Sequence, residues 1–421
     1  MHYCSATNEF LLLNNRKQSL LESHSLDELE SVDPELFELL KTKRFIVPCD
    51  LDETQKVTES RMNAIFDKSW YNVVVNTTLD CNLNCWYCYE NRIKGSRLSD
   101  EVISQICQNI SSHYEHSPYT LLKLSFFGGE PFMNWKGMRT IIEYGNEFCK
   151  KHGLGLLLDF TTNATLITES MVEFLSGYRC VFQITLDGSE SVHNTIKKSN
   201  DPNVNCYRRT LNALRLINAK ITDRLIALRI NFDQRSLEDI DTIISDISFL
   251  NRRRSYVIVK KVWQVDTSDI DKEQLLTVLQ KLFDNNFLPD YYVMPKHGVC
   301  FAERVNQVLF NFDGQIFKCT TIDSFDEKNS LGHFDRENGL VKWDEQLLND
   351  WTCDMQQPEC LRCKWYGACY GPCNRQLLAH KGEFICTFDA MNLSQKEYLM
   401  YLFKYNVLFN QLNSTETTTS H

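Results

Sequence analysis

The sequence has no run of about 18 or more apolar residues, so no segment of it is expected to span a membrane. Its opening, MHYCSATNEF, lacks the basic and apolar regions of a secretory signal, and export is not expected. Nor is there a basic excess. The formal charge of −10 argues against a general nucleic-acid binder, because phosphate contact needs a basic face. An acidic surface fits a basic peptide, and it serves solubility equally well. No internal repeat is present.

What the chain has in quantity is cysteine, 17 of its 421 residues. In a secreted chain these would read as disulfides. Without an export signal, two dense clusters read as metal ligands in a reducing cytoplasm. Others, including Cys4, Cys107, Cys149, Cys180 and Cys206, lie in mixed or apolar surroundings and read as small buried hydrophobes. A hydrophobic content of 43% with 24% charged residues is that of a soluble globular protein, and the length allows two or three domains.

Residues 71 to about 290 alternate short apolar runs with amphipathic stretches. Strands are expected at YNVVVNT (71–77), LLKLSFF (121–127), GLLLDFTT (155–162), CVFQITL (180–186), LIALRINF (225–232) and YVIVKKVW (256–263). Helical patterns fall between them, at 100–114, 135–152, 168–178, 207–219 and 237–250. That spacing means β/α units and a parallel sheet, either a partial barrel or an open doubly wound sheet. In both, chemistry belongs on loops at the carboxyl ends of the strands. Residues 1–70 read as a small α+β segment, and 291–390 as a cysteine-rich, loop-rich domain that metal binding could stabilise. A helix followed by a frayed polar tail is expected over 391–421.

CNLNCWYCYE (81–90) follows directly on the first strand. The spacing C-x3-C-x2-C lets Cys81, Cys85 and Cys88 converge on one small cluster, and three thiolates leave one position open, as catalytic metal sites do. A zinc ion completed by a distant fourth residue is the competing reading. FFGGEP (126–131) ends the second strand, TTNAT (161–165) the third and TLDG (185–188) the fourth. Four successive strands therefore carry a polar or glycine motif at one end, which an inert sheet would not require.

These motifs resemble those of the radical S-adenosylmethionine (SAM) enzymes, whose pattern is C-x3-C-x-aromatic-C after the first strand and GGEP after the second. The resemblance covers about 71–290. It implies a partial (β/α)6 barrel, with a 4Fe–4S cluster on Cys81, Cys85 and Cys88 whose open iron is chelated by SAM. It also implies reductive cleavage to a 5′-deoxyadenosyl radical that abstracts a hydrogen atom. By position, Tyr87 would border the adenine, and Gly128, Gly129 and Glu130 would receive the methionine amino group. Asn163 would lie near the ribose, although an Asn in a turn also serves as a local cap. Thr185 stands where relatives often carry Ser. In HNTIK (193–197), Lys197 replaces an Arg that meets the methionine carboxylate, and a solvated surface lysine is the other reading. No general acid or base is assigned.

From Cys300 the intervals are C300-x13-G314-x4-C319, a gap, C360-x2-C363-x5-C369-x3-C373, and Cys386. A zinc ribbon would use Cx2C pairs too. Behind a radical domain, these intervals resemble the seven-cysteine SPASM extension, which implies two auxiliary 4Fe–4S clusters. Cys360, Cys363, Cys369 and Cys386 would ligate one, and Cys300, Cys319 and Cys373 the other. The second is one ligand short, leaving either Cys353 or an open site for substrate thiolate.

The resemblance implies a cytoplasmic enzyme acting on a peptide or protein, supplied with electrons by a reduced flavodoxin or ferredoxin. Two branches compete. Peptide maturases form thioether or carbon–carbon cross-links and often capture a leader peptide by strand addition. EFLLLN in 1–70 could offer an edge for that, or the segment could be a cap on the barrel. Anaerobic sulfatase maturases make formylglycine, and in them an Asp commonly follows the G-x4-C cysteine, where this chain has Thr320. A silent iron–sulfur scaffold or electron carrier would be expected to have lost a radical-cluster cysteine or GGEP, and both are intact.

Overall fold

The computed structural model describes residues 1–262, 264–266, 269–292 and 299–414. These divide into two compact units, each assembled from separated stretches. Residues 67–292, 305–351 and 404–414 form the larger, and 1–66, 299–304 and 352–403 the smaller.

The larger unit is built on six parallel strands: β1 (Trp70–Thr78), β2 (Leu121–Gly128), β3 (Gly155–Thr162), β4 (Cys180–Thr185), β5 (Arg224–Phe232) and β6 (Ser255–Lys261). They lie side by side in sequence order, each parallel to the next. A doubly wound sheet would reverse its order at a switch point, and this one does not. The winding is that of a partial barrel, left open. Pro289–Asp290 extends the sheet beyond β6, and Gln307–Phe310 adds in parallel beside β1. Ile316–Phe317, Gly332–Asp335 and Leu340–Trp343 follow antiparallel.

Helices Asp100–His116, Trp135–His152, Glu169–Leu175 and Cys206–Lys220 form the crossovers. Their ends follow local chemistry. Ser99 and Thr168 accept backbone N–H bonds at N-caps, and Gly153 ends its helix at φ +67°, where a side chain would be strained. The single helix expected over 237–250 is instead Gln234–Glu238 and Ile240–Asp246. Asp239 leaves helical geometry at φ −99°, ψ 20°, and its carboxylate is held by the Ser189 hydroxyl. The last residue of the expected sixth strand, Trp263, and the expected tail from 415 lie outside the described residues.

Alternation along the strands makes two unlike faces. Leu122, Leu124, Phe126, Leu158, Phe160, Phe182 and Ile184 are buried, and Phe126, Phe160 and Phe182 stack in series with centroids 5.5 and 5.0 Å apart. Each such side chain contributes roughly 1.5–3 kcal/mol by leaving water. The other face is half-buried and polar. Register sets Lys123 opposite Leu157, and its ammonium reaches diagonally to Asp159 at 2.6 Å, while Thr185 lies opposite Arg229.

In the smaller unit, Glu9–Leu11 pairs with His2–Cys4 as a hairpin. Helices Asn15–Ser23, Leu26–Val32, Pro34–Thr42 and Glu53–Phe66 follow. Leu11, Leu29, Leu36 and Leu40 form one core. Trp365 gathers Tyr3, Phe388 and Tyr398 into another, at 4.8–5.8 Å between rings. Among the described residues, no helix is long and apolar enough to cross a membrane.

Candidate metal centre

The loop after β1 carries Cys81, Cys85 and Cys88, all half-buried and none in a disulfide. It is fastened on three sides. Leu83–Cys85 pairs antiparallel with Lys197–Ser199, setting Cys85 opposite Lys197. Gly129 N–H donates to Thr78 O and Glu130 N–H to Asp80 O, each at 2.9 Å. Asn163 Nδ2 donates to Asn82 Oδ1 at 3.0 Å and lies 3.9 Å from Cys81 Sγ.

The two glycines are required by this fastening. A Cβ on Gly128 would stand 2.0 Å from Thr78 O, and one on Gly129 2.0 Å from Asp80 O. Gly128 also has φ +113°. The close approach is therefore between two protein loops. With the Gly129 and Glu130 N–H groups consumed, carbonyl oxygen is what the strip can offer a ligand, and that suits an ammonium donor.

Glu130 is fully buried and works as a strut. Its carboxylate accepts from Phe132 N–H at 3.1 Å, Thr162 Oγ1 at 2.7 Å and Asn163 N–H at 2.8 Å. Burial pushes its carboxyl up to about 7, against the pull of those donors. Asn163 acts as a local cap and also fastens the cysteine loop. Its Oδ1 caps the turn by accepting from Thr165 N–H at 2.9 Å, while its Nδ2 reaches the cysteine loop.

Lys197 is not a solvated surface residue. It is 4% exposed, with Nζ 3.5 Å from Asp187 Oδ2, 3.9 Å from Cys85 Sγ and 5.4 Å from the centre of the Tyr87 ring. Burial pulls its ammonium down, but Cys85, Tyr87 and Asp187 outweigh that and hold it well above the ordinary lysine range. Asp187, at 0% exposure, is the hub that motif reading left out, although TLDG at a strand end was its signal. It accepts from Tyr87 Oη, and from Asn231 N–H at 2.7 Å, while its own N–H donates to His193 Nδ1 at 3.0 Å. Thr185 lies two residues before it, half-buried on the polar face.

The donor set fits an iron–sulfur cluster. Burial raises Cys85 and pushes Cys81 up to about 12, so these thiols hold their protons until a cation displaces them. Both carboxylate oxygens of Glu90 are buried beside the loop, with no hydrogen-bond partner among the described residues. Nowhere among the described residues do three His, Cys, Asp or Glu side chains converge as the ligands of one ion must. A cluster spreads its thiolates over separate irons.

In the smaller unit, Cys360, Cys363, Cys369 and Cys386 lie within electrostatic reach of one another. Burial, then these neighbours, push Cys360 up to about 11. Tyr370 (φ +58°) and Gly371 (φ +74°) turn the chain between Cys369 and Cys373. Cys300 and Cys373 belong to this unit and Cys319 to the larger one.

Fold and site thus define an enzyme with its chemistry at the carboxyl rim of a singly wound parallel sheet. Residues 75–247 match the profile of the Radical SAM superfamily. Those residues are a Radical SAM domain, and SAM and a 4Fe–4S cluster are the cofactors of that superfamily. It is 24% identical over 422 aligned positions to the radical SAM cyclopropyl synthase TigE of Paramaledivibacter caminithermalis, covering 88% of this chain and 84% of that one. It is 21% identical to a cysteine-type anaerobic sulfatase-maturating enzyme of Clostridium perfringens, covering 77% and 93%. Among solved structures, native anSMEcpe with bound AdoMet and Kp18Cys peptide superposes with TM-score 0.61 at 17% identity, over 82% of this chain and 99% of that one. Streptococcus suis SuiB bound to precursor peptide SuiA gives 0.51 at 14%, over 93% and 96%.

Proposed function

We propose that the protein is a peptide or protein maturase that removes a hydrogen atom from its substrate and installs a thioether or carbon–carbon cross-link. Bound on Cys81, Cys85 and Cys88, a 4Fe–4S cluster would supply the electron that cleaves SAM to a 5′-deoxyadenosyl radical. The chain's own residues hold and orient. Carbonyls of Gly128 and Gly129 face the methionine ammonium, and Glu130 braces that strip instead of binding the ammonium directly. Tyr87, fixed by Asp187, borders the adenine, and Asn163 and Thr185 stand at the strand ends beside it. Lys197 is committed to Asp187 and Cys85, so it steadies the cysteine loop as well as adding positive charge near the SAM carboxylate. A reduced flavodoxin or ferredoxin is the electron donor in this reading.

The observation that carries the reading is the hydrogen-bonded closure of four strand-end motifs around the cysteine loop, through Gly129–Thr78, Glu130–Asn163, Asn163–Asn82 and Asp187–Tyr87. The peptide or protein substrate is supported by a relative named for sulfatase maturation and by similar structures that hold peptides. Two auxiliary 4Fe–4S clusters belong to the same reading. Cys360, Cys363, Cys369 and Cys386 hold one, and Cys300 and Cys373 help hold the other, in which Cys319 has its place by sequence pattern alone. Formylglycine formation is the second reading, favoured by the sulfatase-maturase relatives but lacking the Asp at Thr320.

Reconstituted anaerobic protein with dithionite and SAM should release 5′-deoxyadenosine, and Cys85→Ala should abolish the release. Equal inertness of the two proteins would remove the catalytic reading. Mass spectrometry after turnover separates the branches, since a cross-link costs the peptide two hydrogens whereas formylglycine replaces a Cys or Ser side chain with an aldehyde.

A further inference from the structure

The smaller unit contains a buried ion pair that serves no obvious packing purpose. Arg61 is 1% exposed and Glu303 3%, and Arg61 Nη2 donates to Glu303 Oε1 at 2.8 Å. Burying such a pair is weak evidence for stability, because desolvation can cancel the attraction, whereas removing one partner is costly. Where the remaining hydrogen bonds go is therefore informative.

They go to cysteine-bearing backbone. Glu303 Oε2 accepts from the N–H of Cys300 at 3.1 Å, and Glu303 Oε1 accepts from the N–H of Asn374, next to Cys373, at 2.9 Å. The fully buried Asn374 takes a bond from Arg61 Nη2 through its Oδ1 at 3.2 Å. Through its Nδ2 it donates to the carbonyl of Cys353 at 2.9 Å. Arg61 Nη1 then reaches Asp354, the neighbour of Cys353, at 3.1 Å. Three cysteines from separate stretches, Cys300, Cys353 and Cys373, are thus tied to one charged hub within one unit. All three are half-buried, so their thiols are not sealed in apolar core.

We infer that Cys353 joins Cys300 and Cys373 as a ligand of one auxiliary cluster, and that Arg61, with Glu303 and Asn374, is the positioning device that sets their spacing. This rests on the reading that the chain carries auxiliary clusters, and it assigns the missing ligand to the protein itself. The planar guanidinium suits the task, since its fork serves Glu303, Asn374 and Asp354 at once where a lysine would supply a point charge. It also gives the N-terminal segment a specific duty, because Arg61 lies on helix Glu53–Phe66.

The test uses the full chain carrying Cys81→Ala, Cys85→Ala and Cys88→Ala, which leaves only auxiliary iron. After anaerobic reconstitution it should hold about 8 iron atoms per chain. Adding Cys353→Ala should either lower this to about 4 or change the electron paramagnetic resonance of one reduced cluster. Cys49→Ala, at an exposed thiol, should change neither. Arg61→Lys, which keeps the charge and loses the fork, should perturb the same signal while circular dichroism stays that of the parent. Iron content and spectrum unchanged in Cys353→Ala would overturn the ligand assignment, and an unchanged signal in Arg61→Lys would overturn the positioning role. If the parent without radical-site cysteines binds no iron, the auxiliary-cluster reading itself fails and takes this inference with it.

Discussion

Lys197 and Asp187 form a buried ion pair, 3.5 Å from Nζ to Oδ2, between the Cys85 loop and the end of β4. The carboxylate also holds Tyr87 and the backbone of Asn231, so one pair ties three elements around the cysteine loop together. Lys197→Met leaves Asp187 with less compensation in a buried setting and should cost about 3–5 kcal/mol of stability. Urea unfolding measures that loss. SAM cleavage should fall by about a hundredfold or more as the cysteine loop loses its anchor, and wild-type kinetics in the variant would refute the anchoring role.

Gly129→Ala is expected to be severe. Its Cβ would stand 2.0 Å from Asp80 O and 2.6 Å from Asp80 C, and backbone cannot swing aside as a flexible side-chain tip can. The loops must part, at about 3 kcal/mol or more. Equilibrium binding of SAM should weaken by about tenfold or more, the counterpart of about 1.4 kcal/mol. Gly177→Ala, where the new Cβ meets nothing within 4 Å, is the control and should bind normally.

Tyr87→Phe removes a hydroxyl that donates to Asp187 and accepts from Asn231 Nδ2 at 3.1 Å, while leaving the ring in place. The expected cost is about 1–2 kcal/mol of stability. On the proposal that the ring borders the adenine, KM for SAM should rise only severalfold. A much larger rise would mean the hydroxyl itself contacts the cofactor.

Lys260, near the carboxyl end of β6, gives a pH signature. Burial, then the nearby Arg229, lower its ammonium from the usual 10.5 to about 8. Between those values the unfolded chain binds more protons than the folded one, so stability rises with pH across the window and the full penalty applies below it. Lys260→Met should therefore be more stable at pH 7 by about 1–2 kcal/mol, allowing for partial solvent screening. The gain should shrink through pH 8–10 and vanish near pH 11. A gain independent of pH would mean that packing, not charge, limits the wild type. Urea denaturation across that pH range distinguishes them.

The strand-end motifs were legible because their signals are local. Three thiols at C-x3-C-x2-C, a Gly-Gly pair after the second apolar run and TLDG after the fourth are contiguous patterns, and alternation with helical stretches places them all on one rim. Glu130 and Asn163 stand out in the sequence as candidates, but the contacts they make do not. Whether a carboxylate binds a ligand or braces a loop depends on donors from Phe132, Thr162 and Asn163, and their convergence is tertiary. Lys197 shows the same limit. In sequence it was as compatible with water as with a site, and pairing of Leu83–Cys85 with Lys197–Ser199 is what buries it.

By itself, the sequence determined the β/α alternation, the carboxyl-rim location of the strand-end motifs and the cysteine spacings, because hydrophobic period and motif spacing are properties of nearby residues. Only the tertiary structure decided that the sheet is singly wound and open, that Asp187 is the hub beneath Tyr87, and that Arg61 and Glu303, 242 positions apart, grip the backbone around Cys300, Cys353 and Cys373. Strand order and buried hydrogen-bond partners join residues far apart in the chain, and no local pattern encodes which distant group will arrive to satisfy a buried charge.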